Sequence, residues 1–257
     1  MLVFQCEDQA ESILTGVYDA WADPVPNREI RLVLSDDGQQ ELFCEYRKVK
    51  TDDKKAQKVA ESIVRKLGKW IWSDVEFVLL ADAADKAQAV FSYLRLAFSI
   101  GPEIRQQLAR PEVMRICELV RMVSREQQHL FGFVRFADTP EGILIAQLEP
   151  RHRQIPLLAG HFAERLNTER FILYDKRRRE AAVHSPEHGW YLTMGEADGI
   201  EEMIRCSERD GYAELWQVFF DSIAIAQRTN PRCQQNLLPM RFRPHMTEFR
   251  RDKSGIG

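Results

Sequence analysis

The feature that most constrains this chain is a change of hydrophobic period at Gly132. Before it, apolar side chains recur every three to four positions, the spacing of one helical face. After it they alternate, the spacing of strands with one buried face. Thr51 reads as the N-cap of a helix over Asp52 to Leu67 with an acidic first turn. Val75 to Leu80, Ala87 to Phe98, Glu103 to Leu108 and Glu112 to Leu130 read as further helices, punctuated by Gly101-Pro102 and Pro111. Beyond Gly132, Phe133 to Phe136, Ile143 to Leu148, Arg170 to Tyr174, Glu180 to His184 and Trp190 to Thr193 read as strands. A helix from Pro156 to Leu166 interrupts them after the second. Helices over Ile200 to Glu208 and Tyr212 to Ala226 precede an Arg- and Pro-rich tail. At the start, Leu2 to Gln5 reads as a strand and Gln9 to Trp21 as a helix ended by Pro24 and Pro26. Ile30 to Leu34 and Glu41 to Tyr46 read as a strand pair around the turn Asp36-Asp37-Gly38. A helical run followed by a sheet run predicts an α+β fold: a helical N-terminal block with a short strand pair, then an antiparallel sheet with flanking helices. No repeat or low-complexity linker divides the chain, so a single domain over 1–257 is expected, with a soft boundary near 100–112.

Several classes of protein are excluded. At 257 residues the chain can bury a core without disulfides or a structural metal. No apolar run approaches the ~18–20 residues of a membrane span, and Met1 to Asp8 lacks the basic and apolar regions of a signal peptide. Cys6, Cys44, Cys117, Cys206 and Cys233 lie too far apart for zinc or iron–sulfur spacings. A cytoplasmic protein with mostly buried thiols and neither cofactor nor metal is expected.

Charge is unevenly spread. Residues 1–100 hold thirteen basic against seventeen acidic side chains, residues 101–180 fourteen against eleven, and residues 228–253 seven against two. The type of base changes too: after residue 100 only Lys176 and Lys253 accompany twenty-one arginines. Arginine presents a planar fork to phosphate and stacks on bases. Two basic stretches in the second half of a mildly acidic chain point to a local anionic ligand.

The chain has no glycine-rich phosphate loop, nucleophile elbow or deaminase-type zinc pattern. Chemistry would come from a dispersed set between Arg121 and Lys176. His129, His161, Glu126 and Asp175 are the candidates for acid–base work. Arg121, Arg135, His152, Arg165, Lys176, Arg178, Arg228 and Arg241 are the candidates for nucleic-acid or anion binding. Glu126, His129, His161 and Asp175 could instead form a mixed nitrogen–oxygen metal site, though one Glu-x-x-His is half of what a di-iron bundle uses. Hydrogen-bonded histidines in a polar core layer need no function at all.

The order Arg121, Glu126, His129, Gly132-Phe133, Arg135-Phe136, Pro156-Leu157, His161-Phe162, Arg165 and Tyr174-Asp175-Lys176 resembles a bacterial family assigned to DNA metabolism or DNA repair by gene association. Leu215-Trp216, Phe219-Phe220, Arg228, Asn230-Pro231, Gln234-Gln235, Arg241 and Thr247-Glu248-Phe249 extend the likeness. The chain departs from the family pattern at Arg243-Pro244-His245 and in the extra base of Arg177-Arg178-Arg179. Family members are encoded beside a radical-SAM protein of DNA-repair type, and in some bacteria the domain is fused to a uracil-DNA-glycosylase-like domain. The resemblance implies a DNA-repair factor that binds DNA and works with that radical-SAM partner. Two other readings stay open: an enzyme on a small phosphorylated or nucleotide-like ligand, and an adaptor for acidic protein surfaces.

Overall fold

β1 (Leu2–Cys6), β2 (Ile30–Leu34) and β3 (Glu45–Lys48) form a sheet in the order β2-β1-β3, with both pairs parallel. The structure, a computed structural model, describes residues 1–24, 29–35, 42–195, 197–207 and 238–246, with 197, 198 and 206 given by their backbone alone. The expected hairpin between β2 and β3 does not form. β1 lies between them, so each joins the sheet through long-range pairing that a local turn signal cannot encode. The turn at 36–38 lies outside the described residues.

α1 (Ala10–Trp21) packs on this sheet through Gly16, where an added Cβ would stand 2.6 Å from Cys6 Sγ. α2 (Asp53–Leu67) is capped by Asp52, not Thr51: the Asp52 carboxylate accepts from the amides of Lys54 and Lys55. α3 (Lys69–Leu79) starts six residues before the sequence suggests, straight after Gly68, which ends α2 at φ 98°. α4 (Lys86–Ile100) follows, then a short 3-10 turn at Pro102–Gln106 in place of the expected helix to Leu108. Lys86 is buried because its ammonium donates to the carbonyls of Leu79 and Ala81 and pairs with Asp8. Cys6 is buried and its thiol is pushed up to about 12, first by desolvation and then by Asp19. Cys117 is exposed, contrary to the expected burial, because it lies off the stripe Val113, Ile116, Leu119 and Val123.

α5 (Pro111–Phe133) is longer than expected and takes in Phe133. The Val134 amide still donates to the Leu130 carbonyl, and Arg135 donates to the carbonyls of Gly132 and Val134, closing the helix end. Only Ala137–Asp138 remain as a strand, β4. β5 (Leu144–Leu148), α6 (Ile155–Arg165), β6 (Phe171–Asp175), β7 (Glu180–Ser185), β8 (Gly189–Met194) and α7 (Ala197–Ser207) complete the described elements, before a 3-10 turn at Met240–His245.

The second sheet runs β4-β5-β6-β7-β8. It is mixed, not purely antiparallel: β5 and β6 are parallel because α6 carries the chain back between them. One core gathers Leu130, Leu148, Ile155, Leu158, Phe162, Phe171, Leu173 and Phe242. Another gathers Ile145, Ile172, Tyr174, Ile200 and Ile204. Alternation along β6 explains the split, with Phe171 and Leu173 on one face and Ile172 and Tyr174 on the other. The fold is therefore α+β, in two compact units, Met1–Arg125 and Glu126–Gly257. Among the described residues no helix is long and apolar enough to cross a membrane.

Candidate functional site

In the second unit, β5 and β6 end side by side and in the same direction. The loop after β5 (149–154) and the turn after β6 (176–179) therefore meet at one end of the sheet, where parallel strands present their ligand-binding loops. Three carboxylates, each at most 1% exposed, hold this end together: Glu126, Asp175 and Glu180. Glu126 accepts from the amides of His152 at 2.7 Å and Arg151 at 3.0 Å and from Gln154 Nε2 at 3.4 Å. Its ionic partner is Arg241, at 3.2 Å. A carboxylate so surrounded has no lone pair directed at a substrate; it fixes the loop.

Asp175 does the same for the neighbouring turn. Its Oδ1 accepts from the amides of Arg177 and Arg178, and its Oδ2 pairs with Arg178 Nη1 at 3.0 Å. Arg178 also donates to the carbonyls of Pro150 and Arg151, and Arg177 to that of Arg151, so the two loops are tied to each other. Burial raises the Asp175 carboxyl above its usual range, against the opposing pull of Arg178 and the two amides. Glu180, the first residue of β7, receives the Arg153 fork through Nε at 3.0 Å and Nη2 at 2.6 Å.

The turn Met240–His245 adds a third basic segment. Phe242 is buried in the core, Arg241 lies 4.7 Å over its ring, and His245 stands 3.6 Å from Glu149. The three segments hold Arg151, Arg153, Lys176, Arg177, Arg178, Arg179, Arg241 and Arg243: eight fixed cations against Glu126, Glu149, Asp175 and Glu180. Each of those acids pairs with one of the cations, so the cluster keeps a net excess of four positive charges.

The model of a family described as a domain of unknown function, DUF4130, matches residues 84–248, more than half of the chain. The chain belongs to the DUF4130 family. The whole loop cluster falls inside the DUF4130 match, whereas β1 to α3 precede it. No curated protein matches the chain. Among solved structures, a DHH domain from a protein described as belonging to a family of ribosomal proteins is similar at 9% identity and a TM-score of 0.30. The likeness covers 78% of this chain and 74% of that one.

Within this DUF4130 domain the candidate residues fall into separate groups. Glu126, His152, Asp175, Lys176, Arg178 and Arg241 belong to the loop cluster. His129 lies at its edge, its ring 5.7 Å from Phe133 and 5.8 Å from Phe242. His161 packs on Phe131 at 4.2 Å and on Phe162 at 5.1 Å, with Nε2 buried and without a hydrogen-bond partner. Arg135 caps α5 and Arg165 is exposed in the last turn of α6. Arg121 is exposed on the part of α5 that belongs to the first unit. Arg228 lies outside the described residues. Among those described, no three His, Cys, Asp or Glu side chains gather as metal ligands would. Arg151, Arg153 and Glu180 escape sequence reasoning. The signal for them is a helix between two strands, which marks a parallel pair whose following loops carry the site.

Proposed function

We propose that this DUF4130 protein is a DNA-metabolism factor whose second unit binds nucleic acid by its phosphates, using the basic loops at the ends of β5 and β6. The observation that carries the reading is the convergence of eight cations on three short segments braced by buried carboxylates. A braced cationic surface holds its donors in place before the ligand arrives, so less ordering entropy opposes binding. Glu126, Asp175 and Glu180 act here as positioning residues. The sequence resemblance to proteins assigned to DNA repair supports DNA as the polymer and a radical-SAM protein as the working partner. Arg151 and Lys176 are exposed and are the residues to remove. In a fluorescence-anisotropy titration against labelled DNA at several salt concentrations, Arg151→Ala/Lys176→Ala should weaken binding. It should also flatten the log–log salt slope by about one unit per lost phosphate contact. Unchanged affinity and slope would reject the reading. A shallow slope in the wild type, with tight binding of a mononucleotide, would favour an enzyme on a small phosphorylated ligand.

A further inference from the structure

We propose that α2 and the start of α3, in the first unit, form a second nucleic-acid contact surface, separate from the loop cluster and outside the stretch that matches the family model. Between Lys54 and Lys69 the chain carries six cations, Lys54, Lys55, Lys58, Arg65, Lys66 and Lys69, against the single acid Glu61. At a helical turn of about 100° per residue, Lys54, Lys58 and Arg65 fall within about 40° of one another, with Glu61 beside them, and Lys55 and Lys66 lie to one side. The opposite face, Ala56, Val59, Ile63 and Leu67, is buried. The result is a cationic stripe about 16 Å long from Lys54 to Arg65.

The density of cations, six against one acid, sets this stripe apart from an ordinary solvated face. Some other surface cations of the unit find acids: Arg47 pairs with Asp23 and Glu45, Arg105 with Asp74, and Arg115 with Asp85 and Glu118. Along the stripe Lys55 does, with Asp19 at 2.6 Å. Among the described residues Lys54, Lys58, Arg65, Lys66 and Lys69 have no ion pair; Glu61 is hydrogen-bonded to Gln57 instead. Lys54 also occupies the first turn of α2, where the helix dipole disfavours a cation. Helix stability therefore does not account for it.

The chemistry of the surface selects the partner. The exposed face of α2 offers no large apolar side chain, so it has nothing to insert into a bilayer and no centre for a protein interface. A row of cations of which most have no ion pair among the described residues suits a ligand whose charge also repeats, the phosphate backbone of a nucleic acid. Next to Lys69, Trp70 is 75% exposed and offers an indole face to an unstacked base.

The test is salt-dependent binding of the full chain to a labelled single strand and its duplex, with phosphatidylserine vesicles in parallel. Lys54→Glu/Lys58→Glu/Arg65→Glu should weaken DNA binding at least about tenfold near 100 mM salt and reduce the log–log slope by about two to three units. All three side chains are exposed, and what Lys54→Glu gains from the helix dipole offsets what Arg65→Glu loses in the last turn, so the melting temperature should change little. The Gln triple variant gives a smaller loss in the same direction. Loss in this variant, with Arg151→Ala/Lys176→Ala unaffected, supports the stripe while rejecting the loop cluster as a binding surface. Unchanged DNA affinity and slope in the Glu variant overturn the proposal. So does tighter wild-type binding to the vesicles than to DNA, abolished by the same substitutions.

Discussion

Glu126 shows how one buried residue can set the geometry of a surface. Its oxygens satisfy two backbone amides and one arginine while being 1% exposed. Glu126→Ala strands those amides and should cost about 3–5 kcal/mol; Glu126→Gln, which keeps an acceptor, should recover part of the loss. Arg241→Ala should cost less than Glu126→Ala, because Arg241 is 47% exposed and Glu126 keeps its amide donors. Urea unfolding midpoints check this order, and an Arg241→Ala variant less stable than Glu126→Ala would reverse the roles. Asp175 makes a pH-dependent counterpart. Burial lifts its folded-state pKa above the ordinary carboxyl value of 3.8, so the native chain holds this proton more tightly than the unfolded one. The stability it contributes is present in full below the unfolded pKa and is lost as pH rises through the folded one. Asp175→Asn removes that titration while keeping an acceptor for the amides of Arg177 and Arg178. The wild-type minus variant stability should therefore fall across the window above 3.8. A difference that rises with pH would mean that Arg178 outweighs burial.

At the scale of elements, local chemistry is readable in the sequence and long-range pairing is not. Helices α1, α2, α4, α5 and α6 and strands β5 to β7 follow from periodicity, because each buries a stripe or a face; β8 alternates in sequence too, yet buries neither face. The order β2-β1-β3 does not follow, since nothing local says that β1 separates two strands flanking a turn signal. The parallel β5–β6 pair is within reach of the sequence: the helix between these strands is legible, and only a crossover joins them. Phe133 to Phe136 reads as a strand because its alternation is short enough to suit either period. Of the candidate site, Glu126, His152, Asp175, Lys176, Arg178 and Arg241 come together, while Arg135 and His161 serve the helix end and the core. Side-chain type does not distinguish these roles; position at a strand end does. The contact of α1 with β1 gives an element-level prediction. Gly16→Ala puts a Cβ 2.6 Å from Cys6 Sγ and 3.3 Å from Leu32 Cδ2, and should cost about 1–3 kcal/mol despite Ala being the better helix former. Cys6→Ala in the same chain should recover much of that loss in a thermal melt. No recovery would place the strain at Leu32 or Val49 instead.

For the whole molecule, the question is whether its two compact units unfold as one. The division falls between Arg125 and Glu126, inside α5, which runs unbroken from Pro111 to Phe133. One helix thus supplies Val113, Ile116, Leu119 and Val123 to the first unit's buried residues, and Glu126 and Leu130 to those of the second. The family match likewise crosses the division without a break, from residue 84 to residue 248. A helix shared in this way propagates unfolding, because fraying one half removes hydrogen-bond partners from the next turn. Wild-type protein should therefore show one calorimetric transition, with the van't Hoff and calorimetric enthalpies in agreement. Arg125 is exposed, so Arg125→Pro would break the helix at the division without removing a core side chain, at a local cost of about 3 kcal/mol or more. It should split the transition in two, with Gly16→Ala then lowering one melting temperature and Glu126→Ala the other. Two separate transitions already present in the wild type would show that the helix does not couple the units, and the single domain expected from the sequence would fail.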